Sequence, residues 1–459
     1  MHKKVKIVAT LGPASDSPEM ILRLAKLGVD VFRFNLTHAT LEESHARTVA
    51  VRKAEEALKR PLAIMGDLGG PKIRTGMTTE RQVNVGEDVR FVQKEDGSDA
   101  LTINFPEILD HLAVGAEIYL NDGAPKLEVT RIQKGVVTAR VIVPGVVKSK
   151  MGFSAQGMHV NAFALSAKDK ADIKMMAEVG ADSLAISFVQ SAADVRAVRK
   201  ACPKGYAPLL IAKIETKAGV DHVEEILREA DGLMVARGDL GFAVPLAEVP
   251  HIQKKLISIA RTMGKPVITA TQMLESMTAN HLPTRAEVTD VANAILDGTD
   301  AVMLSGETAR GAYPEEVIRT MVRIITRAQT DVVPQAFPDN TFIADAVAAS
   351  AARIADQLDA HVIIAFTETG RTAQRIARYR HSQHIIALTP SASIARRLNF
   401  SWGVAGVVVG KITSFDAALP EARAHARGLG KKGEQYVVVA GRDQFGTSGT
   451  TNLVLVQTL

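Results

Sequence analysis

The sequence is poor in three features that would point to particular functions. It contains a single cysteine, Cys202, so neither an intrachain disulfide nor a cysteine-rich metal site can form. Aromatic residues make up only 4% of the chain, which disfavours a stacking surface for single-stranded nucleic acid. There is no run of about 18 apolar residues, and the basic first residues lack the apolar stretch of a signal peptide. These absences predict a cytoplasmic protein that neither crosses a membrane nor binds nucleic acid.

The composition is that of a globular protein with several domains. With 459 residues, the chain is too long for one hydrophobic core, so two or three domains are expected. Hydrophobic residues make up 46% and charged residues 23%, a balance typical of folded chains. The net charge is only +5, and the basic residues are spread along the sequence instead of being concentrated as on a nucleic-acid-binding face. Small anionic substrates account for this charge equally well.

Short apolar segments alternate with longer helical patterns through most of the chain. This alternation predicts parallel strands joined by helices, and eight such units predict a closed (β/α)8 barrel, an α/β fold. The predicted helices include Pro18–Leu27, Leu41–Lys59, Ala192–Lys200, Val220–Ala230 and Pro250–Thr262. The predicted strands are Val5–Thr10, Val31–Asn35, Leu62–Asp67, Ser183–Val189, Leu209–Ile214, Gly232–Ala236, Pro266–Thr269 and Ala301–Leu304.

Two interruptions of this pattern divide the chain into three domains. Between residues 71 and 159 the sequence is strand-like and rich in glycine turns, which predicts a small inserted β-barrel that acts as a lid. Around Pro334 and Pro338 the alternation breaks, and a second βα pattern follows. We therefore expect the barrel at residues 1–70 and 160–330, the lid at 71–159 and a C-terminal α/β domain at 331–459.

Polar residues collect where the predicted barrel strands end. Charges in a barrel mouth are costly unless they are paired or bind a ligand, so several polar strand ends together indicate a site. The cations Arg33 and Lys213 suit a phosphoryl group. The carboxylates of Glu215 and Asp239 suit Mg²⁺ or Mn²⁺, and this inventory favours phosphoryl transfer. The residues at these ends are Arg33, Asn35, Thr37, Asp67, Lys213, Glu215, Arg237, Gly238, Asp239 and Thr271.

Long motifs along almost the whole chain resemble those of pyruvate kinases. The matching segments are Thr10–Ser15 (TLGPAS), Phe32–His38 (FRFNLTH), Ala212–Glu215 (AKIE), Asp231–Gly241 (DGLMVARGDLG), Ala270–Met277 (ATQMLESM), Pro283–Glu287 (PTRAE), Ala301–Ala309 (AVMLSGETA) and Gly449–Asn452 (GTTN). The resemblance implies transfer of the phosphoryl group of phosphoenolpyruvate to ADP, giving pyruvate and ATP. It also implies Mg²⁺ dependence and a homotetramer.

The resemblance assigns roles to individual residues. Arg33 and Lys213 would hold the transferring phosphoryl group, and Lys213 would stabilise the enolate oxygen. Ser187 would lie near the metal and the phosphate, and Thr271 would belong to the path that protonates the enolate. Arg74, at the lid hinge, would reach the nucleotide phosphates. The other assignments are Glu215 and Asp239 to Mg²⁺; the backbone of Ala236, Arg237, Gly238 and Asp239, with Thr271, to the substrate carboxylate; and Pro13, Asn35, His38 and Asp122 to the nucleotide.

The segment after the third strand departs from the family pattern. Many relatives read Asp-Thr-Lys-Gly-Pro-Glu-Ile-Arg there and require K⁺, whereas this chain has the apolar Leu68 and the cationic Lys72. The Lys72 ammonium would supply the positive charge of K⁺, which predicts activity without a monovalent cation. A solvated lysine at the hinge is the alternative. The cation region comprises Asn35, Thr37, Asp67, Leu68 and Lys72.

Two further segments bear on nucleotide binding and regulation. Gln156 stands where relatives usually have a lysine near the nucleotide, so binding there is weaker, or Lys148 or Lys150 substitutes. In the C-terminal domain, hydroxyls and a glycine precede a helix, which is typical of a phosphate cradle and also of an ordinary helix cap. The resemblance implies activation by a sugar phosphate or AMP at this loop, formed by Thr367, Glu368, Thr369, Gly370, Arg371 and Thr372.

Two alternative functions share parts of this pattern. A lyase or aldolase acting on pyruvate or phosphoenolpyruvate would also place acids and Mg²⁺ at barrel strand ends, but the lid and Lys213 argue against it. A metabolite sensor without activity would have lost Lys213, Thr271 or the acids, and all of them are present.

Overall fold

The computed structural model describes residues 3–37, 39–71, 73–121, 123–133, 135–155, 165–335, 342–441 and 449–459. A parallel barrel, an inserted β unit and a C-terminal α/β sheet make up this part of the chain. None of the helices within these residues is long and apolar enough to span a membrane.

The first three barrel strands alternate with two helices. They are β1 (Lys6–Thr10), α1 (Pro18–Leu27), β2 (Val31–Asn35), α2 (Leu41–Leu58) and β3 (Ala63–Asp67). Helix α1 begins after Ser17, whose side chain caps it, and ends at Gly28, whose φ of 124° favours glycine. Helix α2 begins with a reciprocal capping box between Thr40 and Glu43. Local signals thus fix both helix boundaries, which agree closely with the predicted ones.

The insert after β3 folds into two sheets. Its strands are β4 (Arg81–Val83), β5 (Asp88–Val92), β6 (Leu101–Thr102), β7 (Glu117–Leu120), β8 (Lys126–Gln133), β9 (Val136–Val143), β10 (Gly145–Val147) and β11 (Phe153–Ala155). One sheet has the order β11-β7-β8-β9-β5-β6, and β10 pairs with β4. Phe91 and Phe153 meet edge to face with 5.5 Å between ring centroids, inside a hydrophobic core that belongs to the insert alone.

The chain then completes the barrel with five more strands. The elements are α3 (Ala167–Glu178), β12 (Ser183–Ile186), α4 (Ala192–Ala201), β13 (Leu209–Ile214), α5 (Lys217–Asp221), α6 (Val223–Glu229), β14 (Gly232–Ala236), α7 (Arg237–Ala243), α8 (Val249–Thr262), β15 (Val267–Ala270), α9 (Arg285–Leu296), β16 (Ala301–Leu304), α10 (Gly306–Ala309) and α11 (Pro314–Ala328). The single helix predicted at Val220–Ala230 is wrong, because the chain leaves helical geometry at His222 and forms α5 and α6. Gly219 in α5 packs against the Val189 carbonyl oxygen, to which an added Cβ would come within 2.6 Å. This close contact ties α5 to the loop after β12.

The eight parallel strands close in the order β1-β16-β15-β14-β13-β12-β3-β2, which confirms the predicted (β/α)8 barrel. Their residues are buried on both faces, so they read as continuous apolar segments instead of alternating ones. Inside the barrel, side chains such as Met65, Ile211 and Met303 form one cluster with Phe400 of the C-terminal domain. Phe400 therefore closes the barrel end opposite the C-terminal ends of the strands.

The C-terminal domain is a second α/β unit, as predicted. Its elements are α12 (Ile343–Gln357), β17 (Val362–Phe366), α13 (Arg371–Ala377), β18 (His384–Thr389), α14 (Ala392–Arg397), β19 (Val404–Val408), α15 (Phe415–Arg427), β20 (Gln435–Ala440) and β21 (Leu453–Thr458). The strand order is β19-β18-β17-β20-β21, and β21 is antiparallel to β20. Short 3₁₀ helices in the described chain lie at Pro106–His111, Leu246–Glu248, Glu275–Thr278, Gln329–Asp331 and Leu398–Phe400.

The barrel and the C-terminal domain meet around the buried carboxylate of Asp300. This carboxylate accepts two backbone N–H groups, one of them from Trp402 at 2.9 Å, and pairs with Arg380 at 2.7 Å. Asp300 and Arg380 are each 3% exposed. Lys6 adds a second link by donating from Nζ to the Val404 carbonyl at 2.6 Å. The two domains therefore share a buried polar interface at the N-terminal end of the barrel strands.

Candidate active site

Lys213 lies at the centre of the barrel mouth. Its Nζ donates to Asp67 Oδ1 at 3.2 Å and to Ser187 Oγ at 2.7 Å, and it lies 3.0 Å from Glu215 Oε1. Asp67 is the last residue of β3, and Ser187 and Glu215 directly follow β12 and β13; the three strands are neighbours in the barrel. The ammonium thus has as many oxygen neighbours as it has N–H donors.

Arg33, at the end of β2, shares Asp67 with Lys213. Arg33 Nε donates to Asp67 Oδ2 at 2.6 Å, and Nη1 donates to Thr10 Oγ1 at 3.0 Å. Asp67 is 2% exposed, and each of its oxygens receives one of the two cations. One buried carboxylate therefore holds both cations side by side, as binding of a phosphoryl group requires.

Burial and charge pairing oppose each other at these groups. Burial favours the neutral form of Asp67, but Lys213 and Arg33 lower the pKa of its carboxyl below the usual range. Burial disfavours the Lys213 ammonium, yet Asp67 and Glu215 hold the pKa of Lys213 above its usual value. At Glu215, burial outweighs the attraction of Lys213 and raises the pKa to about 7. Lys213 is therefore cationic throughout the neutral range, whereas burial makes the Glu215 carboxyl easier to protonate than an exposed one.

Glu215 and Asp239 form the acidic side of the mouth. Glu215 is 2% exposed, and the charge of Asp239 adds to the burial that raises the pKa of Glu215. The two carboxylates are thus close enough to repel each other, and a divalent cation would relieve this repulsion. Two acids that leave positions for water and substrate oxygens fit Mg²⁺. No group of three or more histidine, cysteine or acidic side chains in the described chain is arranged to hold a metal.

The fourth barrel strand is shorter than predicted. Strand β12 ends at Ile186, before the expected end at Val189. Phe188 has a φ of 56°, a left-handed conformation that bulky residues rarely adopt, and it donates its N–H to Glu215 Oε2 at 2.7 Å. The strand stops early because this turn supports the acid. Ser187, the first residue after the strand, adds its hydroxyl to the site.

Thr271 and the first turn of α7 form a further wall. Thr271 has a φ of 70°, and its Oγ1 accepts the Gly238 N–H at 2.8 Å. Arg237 supports this conformation by donating to Thr271 O at 2.6 Å and to Asp290 Oδ1 at 2.6 Å. The Arg237 guanidinium therefore stabilises the loop at Thr271. The segment Ala236–Asp239 presents the helix start, where backbone N–H groups lack helical partners.

Arg74 and Thr37 line a cavity of about 250 Å³ beside the mouth. Arg74 Nη1 donates to the Lys150 carbonyl at 2.8 Å. Asn35 is exposed at the end of β2, and its Oδ1 accepts the Thr37 N–H at 3.2 Å. Pro13 is exposed in the loop after β1. Of the other positions predicted for the nucleotide and cation regions, His38, Lys72, Asp122 and Gln156 lie outside the described residues.

The predicted effector loop lines a small cavity of about 50 Å³ in the C-terminal domain. Thr367 Oγ1 accepts the Gly370 N–H at 2.8 Å, and the φ of Gly370 is 85°. The Thr372 hydroxyl lies 2.8 Å from that of Thr451, after the loop that follows β20. The other predicted residues that line this cavity are Glu368, Thr369 and Arg371.

The chain matches two family models along most of its length. The model described as "Pyruvate kinase, barrel domain" covers residues 2–318, and that described as "Pyruvate kinase, alpha/beta domain" covers residues 345–457. The chain belongs to the pyruvate kinase family. A pyruvate kinase from Geobacillus stearothermophilus is 41% identical over 475 residues, spanning 100% of this chain and 81% of the relative.

Other pyruvate kinases show the same full-length similarity. That from Methylorubrum extorquens is 40% identical over 467 residues, covering 99% of this chain and 97% of the relative. A crystal structure of a pyruvate kinase from Cryptosporidium parvum superposes with a TM-score of 0.91 at 32% identity, covering 99% of this chain and 96% of that chain. Membership in this family favours a kinase over the lyase and sensor alternatives.

Several positioning contacts of this pyruvate kinase site escape the sequence reasoning. Asp67 is predicted as a strand-end residue and for the cation region, but only the structure shows that it holds both cations. Thr10 contacts Arg33, and the strand-end rule would have found it, because it ends β1. Asp290 supports Arg237, and Asp169 accepts the Gly70 N–H at 3.2 Å beside the lid hinge. The last two come from helices, where no strand-end signal points to the site.

The raised pKa of Glu215 predicts pH-dependent metal binding. If Glu215 is a ligand of a divalent cation, as the sequence predicts, the cation binds its deprotonated carboxylate, and protons compete with the metal below a pH of about 7. We expect the Mg²⁺ affinity to fall by up to about tenfold per pH unit below that value, and to level off above it. Burial of Glu215 also affects stability in the absence of metal. Above the pKa of Glu215 in the unfolded chain, the buried negative charge lowers the free energy of unfolding, and protonation of Glu215 restores it as the pH falls. Calorimetric Mg²⁺ titrations at about pH 6 and about pH 8 would contradict the assignment if the two affinities were equal.

Proposed function

We propose that this chain transfers the phosphoryl group of phosphoenolpyruvate to ADP at the barrel mouth, giving pyruvate and ATP. The observation that carries the proposal is the pairing of Arg33 and Lys213 on Asp67, at 2.6 and 3.2 Å, beside Glu215. Phosphoryl transfer depends mainly on positioning and on neutralisation of charge, so a rigid pair of cations next to two acids fits its requirements.

Arg33 and Lys213 would bind the transferring group, and Lys213 would then stabilise the enolate oxygen that the transfer leaves. Since Lys213 already has three oxygen neighbours, a substrate oxygen must replace one of them. The Ser187 hydroxyl is the neutral one of the three and is the least costly to replace. Mg²⁺ bound by Glu215 and Asp239 would supply the charge that neutralises the phosphoryl and enolate oxygens.

The opposite wall would bind the carboxylate and deliver the proton. Backbone N–H groups in the segment Ala236–Asp239, apart from that of Gly238, which Thr271 accepts, suit a carboxylate, because the start of α7 carries a partial positive charge. The Thr271 hydroxyl donates to the Ala270 carbonyl at 2.6 Å, so its own proton is engaged. Thr271 would therefore act through a water molecule, which it orients toward the enolate carbon. This water would give a proton to the enolate carbon and regain one from the solvent, which completes the conversion of the enolate to pyruvate.

The nucleotide would lie on the lid side of the mouth. Arg74 lines the cavity there, and it would bind the ADP phosphates together with Pro13, Asn35, His38 and Asp122. The insert at 71–159 would close over them as a lid and exclude water. The consequence of Gln156 would then appear as a higher KM for ADP than in relatives with a lysine there.

We propose that the enzyme needs no monovalent cation. Leu68 is 2% exposed and packs in the barrel core, so its side chain offers no oxygen to K⁺. Its backbone carbonyl already accepts the Ser187 hydroxyl at 2.7 Å. Lys72 would supply the missing positive charge from the segment that leads to the lid.

A coupled assay of pyruvate formation tests the reaction and the cation requirement together. With Mg²⁺, we expect turnover of phosphoenolpyruvate and ADP to differ by less than about twofold between K⁺ and tetramethylammonium buffers of equal ionic strength. The Lys72→Glu variant should need K⁺ for most of its activity, because the fixed charge is gone, and Lys94→Glu, at an exposed lysine of the insert, serves as the matched control. Strong K⁺ stimulation of the unmodified enzyme would refute cation independence but leave the reaction itself intact. No turnover in either buffer would refute the reaction.

We also propose activation by a phosphorylated metabolite at the loop of residues 367–372. The hydroxyl of Thr367 and the turn at Gly370 shape this loop into a cradle, and the exposed Arg371 can pair with a phosphate. In a panel of sugar phosphates and AMP, we expect at least one compound to lower the KM for phosphoenolpyruvate. Arg371→Ala should raise the activating concentration about tenfold, and Arg423→Ala should not change it. Unchanged kinetics with every compound would count against the site.

The family further supports a cytoplasmic homotetramer. Light scattering at the elution peak of a sizing column would measure the mass, and a monomer at assay concentration would contradict the assignment.

A further inference from the structure

Thr10 connects three neighbouring strands at the barrel mouth. It is the last residue of β1 and pairs directly with Arg33 in the register between β1 and β2. Its hydroxyl donates to the Leu304 carbonyl on β16 at 2.8 Å and accepts a hydrogen bond from Arg33 Nη1 at 3.0 Å. The hydroxyl therefore lies between a fixed backbone acceptor and the guanidinium that is assigned to the phosphoryl group.

The structure holds this hydroxyl in one orientation. Its single proton is directed to Leu304, so its lone pairs face Arg33. Thr10 is 3% exposed, and a β-branched side chain has restricted rotamers. The Thr10 carbonyl accepts the hydroxyl of the fully buried Thr308 at 2.9 Å, which fixes the backbone as well. Thr10 thus offers Arg33 an acceptor whose position and direction are both set in advance.

The contact with Thr10 decides how the Arg33 guanidinium is turned. Asp67 engages Nε, and with this bond alone the planar group could pivot about it. The second bond, from Nη1 to Thr10, removes that freedom. Arg33 has five N–H donors, of which these two bonds use two. The other three have no protein partner among the residues that the structure describes, so they remain for a ligand.

We propose that Thr10 is a positioning residue that turns Arg33 so that its remaining N–H donors meet the phosphoryl oxygens. Thr10 does not touch the substrate itself. The inference rests on the proposed function, because it takes the phosphoryl group to be the ligand of Arg33. If Thr10 only contributed to packing between the strands, its replacement would lower the stability of the fold and reduce the affinity for all ligands equally. If Thr10 positions Arg33, its replacement lowers the affinity most for those ligands that bind to Arg33.

Two inhibitors of the site separate these roles. The saturated analogue 2-phospholactate carries the phosphoryl group, whereas oxalate resembles the enolate of pyruvate and lacks it. In Thr10→Val the shape is kept, but a methyl group faces Arg33 Nη1 in place of the oxygen. We expect kcat/KM for phosphoenolpyruvate to fall about 10- to 100-fold and the inhibition constant of 2-phospholactate to rise about tenfold or more. The inhibition constant of oxalate and the KM for ADP should stay within about threefold.

Matched variants control for packing. Thr10→Ser keeps the hydroxyl and should restore kcat/KM to within about threefold of the unmodified enzyme. Thr269→Val removes another fully buried hydroxyl from the barrel, one that donates to Thr299 at 3.0 Å, and it should leave both inhibition constants unchanged. If Thr10→Val does not fold, Thr10→Ala is compared with Thr10→Ser in the same assays.

Three results would overturn the proposal. The first is a folded variant without the hydroxyl that binds 2-phospholactate as tightly as the unmodified enzyme does. The second is an equal loss of affinity for 2-phospholactate and oxalate, which indicates general distortion. The third is a Thr10→Ser variant as impaired as Thr10→Val. Failure of the proposed function is distinguishable, because the unmodified enzyme itself would then form no ATP.

Discussion

Replacing Lys213 with methionine is expected to lower the rate of ATP formation from phosphoenolpyruvate and ADP about 1,000-fold or more. The ammonium is held between Asp67, Ser187 and Glu215 at 2.7 to 3.2 Å, so it is aimed before the substrate arrives. Methionine has a similar length but carries no charge, and the enolate oxygen would lose its cation. The effect should fall mainly on kcat, because this charge develops during the transfer.

The matched control for this variant is Lys217→Met. Lys217 is exposed, follows Lys213 closely in the sequence, and pairs with Asp221 at the surface. We expect its kcat to stay within about twofold of the unmodified enzyme. A coupled assay with purified, folded protein measures both rates. Full activity of Lys213→Met would overturn the proposed mechanism, and a circular dichroism spectrum would show whether a loss of activity reflects unfolding.

Replacing Asp300 with asparagine is expected to destabilise the fold by about 3 kcal/mol or more. Asp300 receives Arg380 at 2.7 Å and two backbone N–H groups, and both charged residues are 3% exposed. The amide would leave the Arg380 cation buried without its counter-charge. Because this cluster joins the barrel to the C-terminal domain, the melting temperature should drop by several degrees.

A surface pair provides the comparison. The ion pair of Arg327 and Asp331 is largely exposed, so Asp331→Asn should change stability by less than about 1 kcal/mol. Activity of Asp300→Asn well below its melting temperature should be retained, because Asp300 lies at the barrel end opposite the site. Thermal denaturation of the two variants tests this contrast. Equal melting temperatures would show that the buried pair contributes no more than an exposed one.

The sequence predicts the barrel strands well because their signal is local. Strands that are buried on both faces read as continuous apolar segments, and Val31–Asn35, Leu209–Ile214 and Gly232–Ala236 match the predicted bounds. Helix caps are local too, as Ser17 and Gly28 show for α1. The prediction fails where a distant contact sets a boundary. Glu215, at the end of the neighbouring strand β13, accepts the Phe188 N–H where β12 ends early.

The site residues themselves could be named from the sequence, but their partners could not. Arg33, Lys213 and Glu215 follow apolar strands, so the strand-end rule and the family motifs both find them. That one carboxylate, Asp67, holds both cations depends on the neighbourhood of β2, β3, β12 and β13 in the closed barrel. The same holds for Asp290, which reaches Arg237 from a helix.

The sequence by itself thus determined the fold class, the family and the set of charged groups at the mouth, because apolar periodicity and motifs depend only on residues that are close together in the sequence. The tertiary structure alone decided how these groups are held. It showed that Arg33 donates to Thr10, that burial raises the pKa of Glu215, and that Asp300 joins two domains. Hydrogen-bond geometry and desolvation depend on residues far apart in the sequence, which only the closed barrel brings together.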